Sequence, residues 1–145
     1  MKSVEILMAE DSPSDAELAR EALKNGMLDI SMNVVTDGEE ALNYLFRRGQ
    51  YKDAKRPDLI LLDINMPKIS GLEVLAEIKR DDDLKRIPVV ILTTSEDERD
   101  IAKSYEHYAA CFITKPVNFQ SFQEIVGQLK SFWFTIVTLP PKTNN

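Results

Sequence analysis

Residues 59–67 read LILLDINMP: four consecutive apolar side chains, then Asp63, then three residues leading to Pro67. A short apolar run without polar alternation suits a strand covered on both faces, as in the parallel sheets of α/β proteins. Asp63 ends the run, and an ionised carboxylate in such surroundings costs roughly several kcal/mol unless a cation or hydrogen bonds offset it. The fold must therefore bring a partner to Asp63, or give its charge a use.

Working outward, four more short apolar runs follow, most of the set lacking clean polar alternation: Val4–Ala9, Ile30–Val35, Val89–Leu92 and Cys111–Ile113. The segments between them have helical spacing and explicit start signals. Ser12 is an N-cap ahead of Pro13, opening a helix over Ser14–Asn25 that Gly26 stops. Asp37 with Glu40, Ser70 with Glu73, and Ser95 with Glu98 have capping-box spacing, which predicts helices near Gly38–Arg48, Gly71–Arg80 and Glu96–Tyr108. A last helix begins around Asn118. The charged stretch Gly49–Asp58, with Pro57 in it, reads as a surface loop. Five strands alternating with five helices predict an α/β, doubly wound parallel sheet with right-handed crossovers. A chain of 145 residues supplies one domain with a sizeable core. No internal repeat and no linker to a second domain stands out.

Composition narrows the function. Eighteen basic against twenty-four acidic residues leave a net charge of −6, the wrong balance for a nucleic-acid partner. The pairs Arg47-Arg48 and Lys85-Arg86 read as solvated surface. No apolar run reaches the roughly 20 residues of a membrane helix, and MKSVEILMAED turns acidic too early for a signal peptide. A lone Cys111 forms no internal disulfide, which fits a cytoplasmic protein, and its strand position marks a small buried hydrophobe. One Cys and one His make a poor zinc site, so a bound metal would be a hard cation with oxygen ligands.

In open α/β sheets function gathers at the carboxyl ends of the strands. Those ends carry Glu10-Asp11, Asp63, Thr93-Thr94 and Lys115-Pro116. If the strand order is 2-1-3-4-5, three carboxylates meet one ammonium and a hydroxyl. Clustered acids repel and raise one another's pKa. A divalent cation relieves this; Mg2+ suits such a ligand set, and Mn2+ or Ca2+ can substitute. A carboxylate is already a nucleophile at neutral pH and needs no general base. His107 falls inside the fourth predicted helix, away from the strand ends, and reads as solvated surface.

The set AED (9–11), LLDINMPKISG (61–71), ILTTS (91–95) and ITKP (113–116), in this order, resembles the receiver domain of two-component response regulators. The resemblance covers residues 3 to about 130 and implies the flavodoxin-like order 2-1-3-4-5. It also implies that Asp63 accepts a phosphoryl group from a histidine kinase phosphohistidine. Asp11 and Asp63 would bind Mg2+ directly, with the Asn65 backbone carbonyl as a further ligand and Glu10 acting through water. Thr93 would hydrogen-bond the phosphoryl group, although Thr94 stands beside it, and Lys115 would pair with the phosphoryl oxygens. Phe112 occupies the place of a switch aromatic, with plain core filling as its other reading. Such a protein assists its own phosphorylation and dephosphorylation and is not a conventional enzyme.

The apolar positions of the C-terminal segment keep helical steps as far as Val137, so one helix could run from Asn118 to about Thr138 before Pro140-Pro141. That is on the order of 30 Å, longer than a five-residue strand at about 17 Å. Residues 131–145 are thus an extension of a receiver at 1–130, and Phe132, Trp133, Ile136 and Val137 form a candidate interface. The same residues also favour β structure, so folding back as core or as a strand stays open. This extension, with the YKDAKRPDLILLD approach to the third strand, resembles the phytochrome-associated response regulators of cyanobacteria. That implies a homodimer and a sensor histidine kinase of the phytochrome type as partner, with no output domain. Two rivals share the topology. A nucleotide- or flavin-binding domain would want a phosphate cradle after the first strand, where AEDSPSD places acids. An unphosphorylated, homodimeric interaction module is the other.

Overall fold

The computed structural model describes residues 4–24, 30–94, 111–115, 117, 120 and 124. The expected fourth helix with His107, the Gly26 stop, most of the last helix, and Phe132, Trp133, Ile136 and Val137 lie outside the described residues. Within them the chain runs β1 (Val4–Ala9), α1 (Pro13–Lys24), β2 (Ile30–Val35), α2 (Gly38–Leu45), β3 (Leu59–Asp63), α3 (Gly71–Arg80), β4 (Val89–Thr93) and β5 (Cys111–Thr114). All five strands are parallel, in the order β2-β1-β3-β4-β5. This is the predicted doubly wound sheet, with three of its helices described.

Strand periodicity explains the missing polar alternation. Successive side chains leave a strand on opposite faces, and here both faces are cores. Leu7, Ala9, Ile60, Leu62, Val89 and Ile91 pack beneath α2 and α3. Val4, Ile6, Met8, Leu59, Leu61, Val90 and Leu92 pack beneath α1 through Ala16, Ala19 and Leu23. The central strands β3 and β4 are buried along their whole length, whereas the edge strand β2 is mostly half-exposed.

Several boundaries moved. Strands β3, β4 and β5 each run one residue further than their apolar runs, taking in Asp63, Thr93 and Thr114, because backbone pairing continues through polar residues. Helix α2 ends at Leu45, not near Arg48. Arg48 N–H donates to the Asn43 carbonyl and Arg47 N–H to Tyr44, a Schellman closure with Arg47 at φ 56° where glycine is usual. Ser70 and Glu73 form the full capping box, but Asp37 caps α2 without a reciprocal bond. The Glu40 carboxylate is engaged by the Tyr51 hydroxyl at 2.6 Å, which also orders a 3-10 turn over Gly49–Tyr51 in the expected loop.

Gly71 is fixed by proximity. A Cβ there would run into the carbonyl oxygen of Asp63, and the Gly71 N–H donates to the Ile64 carbonyl. The start of α3 is thereby held against the end of β3, where Asp63 sits.

Candidate functional site

Register brings the predicted residues together. Ala9 pairs with Leu62, so Glu10 and Asp63 are the next residues on adjacent strands. Asp63 pairs with Leu92, Thr93 pairs with Thr114, and Lys115 follows at once. Two-residue periodicity then sets the faces: Glu10 follows the parity of Met8, Asp63 that of Leu61, and Lys115 that of Ile113. All three belong to the face covered by α1. Thr93 and Phe112 share the parity of Ile91, on the opposite face, where Phe112 is partly buried against the core.

The Lys115 ammonium is the hub. Its Nζ lies 3.1 and 3.3 Å from the two Glu10 carboxylate oxygens, 3.3 Å from Asp63 Oδ2 and 3.2 Å from Asp15 Oδ2. The Lys115 backbone N–H donates to the Thr93 carbonyl at 2.7 Å, which fixes where the side chain starts. Glu10 and Asp63 are 1% and 2% exposed, so their charges have little water and depend on this lysine. Asp63 Oδ1 accepts the Asn65 N–H at 3.2 Å, and Glu10 Oε2 accepts the Ser12 N–H at 3.1 Å.

Glu10, Asp11 and Asp63 each offer one oxygen, and these oxygens lie within 4.8 Å of one another. An all-oxygen, acid-rich set of this kind fits a hard divalent cation and does not suit a thiophilic metal. A second feature is a buried hydroxyl. Thr93 Oγ1 is fully buried and has no hydrogen-bond partner among the described residues, a cost of about 1–3 kcal/mol that a ligand oxygen would remove. Thr94 beside it, the other hydroxyl that the sequence offered, is exposed.

Burial raises the Glu10 carboxyl from the ordinary 4.5 to about 7; the Asp63 charge adds to the rise, while the Ser12 N–H and Lys115 oppose it. Burial alone would pull Lys115 down, but the Glu10 hydrogen bond and the charges of Asp63 and Glu10 hold it above the usual lysine value. Between pH 4.5 and 7 the folded chain keeps a Glu10 proton that the unfolded chain has released. The stability this proton contributes is complete below 4.5 and is lost as pH rises through 7. In thermal melts without divalent metal, wild type is therefore expected to lose ground against Glu10→Gln from pH 5 to pH 8. A difference between the two that stays constant over this window would contradict the assignment.

Asp15 was not singled out from the sequence, although a signal for it exists. It stands four residues before Ala19 and eight before Leu23, on the buried stripe of α1. A carboxylate on a core-facing stripe needs a reason, and Lys115 is that reason. The other expectations hold at the surface: Arg47, Arg48, Lys85 and Arg86 are exposed, and Cys111 is buried, with its thiol pushed up by burial. Among the described residues no helix is long and apolar enough to cross a membrane.

Comparison with known proteins agrees with this geometry. The family model described as the response regulator receiver domain matches residues 6–127. The response regulator Rcp1 of Synechocystis sp. is 47% identical over 135 residues, covering 93% of this chain and 92% of that protein. The crystal structure of its Mn2+-bound form superposes with a TM-score of 0.75, covering 94% of this chain and 99% of that one. The phosphorylated cyanobacterial phytochrome response regulator RcpA is 48% identical, with a TM-score of 0.78 over 96% of this chain and 99% of its own. The bacteriophytochrome response regulator RtBRR is 39% identical, with a TM-score of 0.84 over 98% and 86% of the two chains.

Proposed function

Because this chain belongs to the response regulator receiver family, with phytochrome response regulators among its relatives, we propose that it takes a phosphoryl group onto Asp63. The donor in this reading is the phosphohistidine of a sensor histidine kinase. The observation that carries it is the cage itself: a buried carboxylate held by one lysine, two neighbouring acids, and an orphaned threonine hydroxyl one strand away.

The chain's residues divide the work. An Asp63 carboxylate oxygen forms the new P–O bond while the P–N bond of the donor breaks. The electron pair stays on the imidazole nitrogen, which takes up a proton. Asp63 needs no base to act as nucleophile, and the Asn65 N–H and Lys115 Nζ fix its two oxygens beforehand. Asp11, Asp63 and the Asn65 carbonyl, with Glu10 through water, would hold a divalent cation, most simply Mg2+, whose charge offsets that of the phosphoryl oxygens. Lys115 pairs with those oxygens in place of Asp63, and the Thr93 hydroxyl gains the partner it lacks. Thr93 and Phe112 share one face of adjacent strands, so an inward shift of Thr93 changes the space beside Phe112. The chain acts here as a phosphoacceptor and not as a turnover enzyme. The names of its relatives support a phytochrome-type kinase as donor.

The test is incubation with acetyl phosphate and Mg2+, followed by intact-mass measurement. One added phosphoryl mass is expected, absent when a chelator removes the metal. Well-folded protein that stays unmodified, even with kinase donors, would favour the interaction-only reading. A homodimer closed by Phe132, Trp133, Ile136 and Val137 is a further part of the proposal and rests on their apolar spacing. Light scattering should show a dimer for the full chain and a monomer for a chain stopped at Lys130. Equal oligomeric states for two folded chains would remove this part.

A further inference from the structure

Asp15 is absent from the carboxylate set that can close on one cation, yet it grips the same ammonium as that set does. An ammonium has three N–H donors, and in Lys115 these face Glu10, Asp63 and Asp15. The lysine stem is a flexible four-carbon chain that fixes nothing by itself, so the position of Nζ is set by its partners. Two of the three, Glu10 and Asp63, are the acids whose charge a divalent cation would neutralise. Once they are neutralised they hold Lys115 less, and the cation repels it. Asp15 is then the anchor that remains. It is well placed for this: its backbone N–H is capped by Ser12 Oγ at 3.3 Å, and it rides in the first turn of a helix fixed by Ala16 and Ala19 beneath it.

We propose that Asp15 is a positioning residue for phosphoryl transfer, holding the Lys115 ammonium at Asp63 Oδ2 when a divalent cation has taken the charge of Glu10 and Asp63. The proposal rests on the phosphoacceptor reading and deepens it. The bond changes are unaltered: Asp63 oxygen to phosphorus forms, and the donor's bond to phosphorus breaks with its electrons leaving on the donor. Asp15 touches neither atom and acts only through Lys115.

Asp15→Asn keeps shape and removes charge. With full-length protein, acetyl phosphate and saturating Mg2+, the phosphorylation rate constant should fall about tenfold, or ~1.4 kcal/mol in the barrier. In a Lys115→Met background the same change should cost nothing further. A direct effect on the charge environment of the first turn of α1 would persist in both backgrounds. A second measurement needs no phosphoryl donor. Mass-mapped acylation of Lys115 by an amine reagent, with Mg2+ present, should run several-fold faster in Asp15→Asn than in wild type. An unchanged or faster transfer rate, an equal loss in the Lys115→Met background, or unchanged labelling would each overturn the proposal. If wild type takes no phosphoryl group at all, the phosphoacceptor reading fails, and the labelling still decides whether Asp15 holds Lys115.

Discussion

Asparagine in place of Asp63 is expected to reduce phosphoryl uptake to the detection limit while the chain stays folded. The amide is nearly the same shape, and its oxygen can still accept the Asn65 N–H that Asp63 Oδ1 accepts at 3.2 Å. Its NH2 group takes the place of Oδ2, 3.3 Å from the Lys115 ammonium, so that lysine loses one acceptor and keeps Glu10 and Asp15. What disappears is the nucleophile, and Glu10 does not replace it, being 1% exposed and bound to both Lys115 and Ser12. The same variant should pull the Glu10 carboxyl back down from about 7, because the Asp63 charge is the second contributor to its rise. Intact mass after acetyl phosphate treatment reads the first effect. The pH dependence of the melting temperature against Glu10→Gln reads the second. Uptake that persists in Asp63→Asn would place the acceptor elsewhere.

The largest expected stability effect belongs to Lys115→Met. Removing one partner of a buried ion pair leaves the others uncompensated, which commonly costs about 3–5 kcal/mol. Lys115 serves two nearly waterless carboxylates at once, but its third partner, Asp15, has 31% of its side chain in solvent. Water can therefore reach that side of the site, which argues for the low end, about 3 kcal/mol in denaturant titrations without metal. Two conditions should shrink the loss. Below pH 6 Glu10 takes up a proton more readily still, since Lys115 is one of the groups that oppose its rise. Added Mg2+ or Mn2+ should also recover most of it, because the cation takes over the neutralising charge. A loss that ignores both pH and metal would mean that Lys115 stabilises the fold by packing and not by charge.

The strands and their carboxyl ends were legible because the strands read as short apolar runs, and Glu10, Asp63 and Thr93 each follow directly on one. Parity then did the rest: Glu10, Asp63 and Lys115 converge because each is an even step from a residue facing α1. What was hidden depends on long-range contacts. No local pattern tells that Glu40 turns away from its own cap to meet Tyr51, or that Arg47 closes α2 in a left-handed conformation. Gly71 reads as a helix start, while its actual constraint is the Asp63 carbonyl lying where a Cβ would go. Asp15 could have been found by asking why the buried stripe of α1 begins with a charge. Its partner, one hundred residues on, is visible only once the sheet order is known.

The central claim is that Asp63 is the atom-bearing acceptor of the phosphoryl group. An aspartyl phosphate is an acyl phosphate, and borohydride reduces it to homoserine, marking the modified position permanently. Wild-type protein treated with acetyl phosphate and Mg2+, then with borohydride, should yield on peptide mass mapping a single homoserine at position 63. Homoserine at position 11 or elsewhere, or none in protein that carries an added phosphoryl mass, would contradict the account.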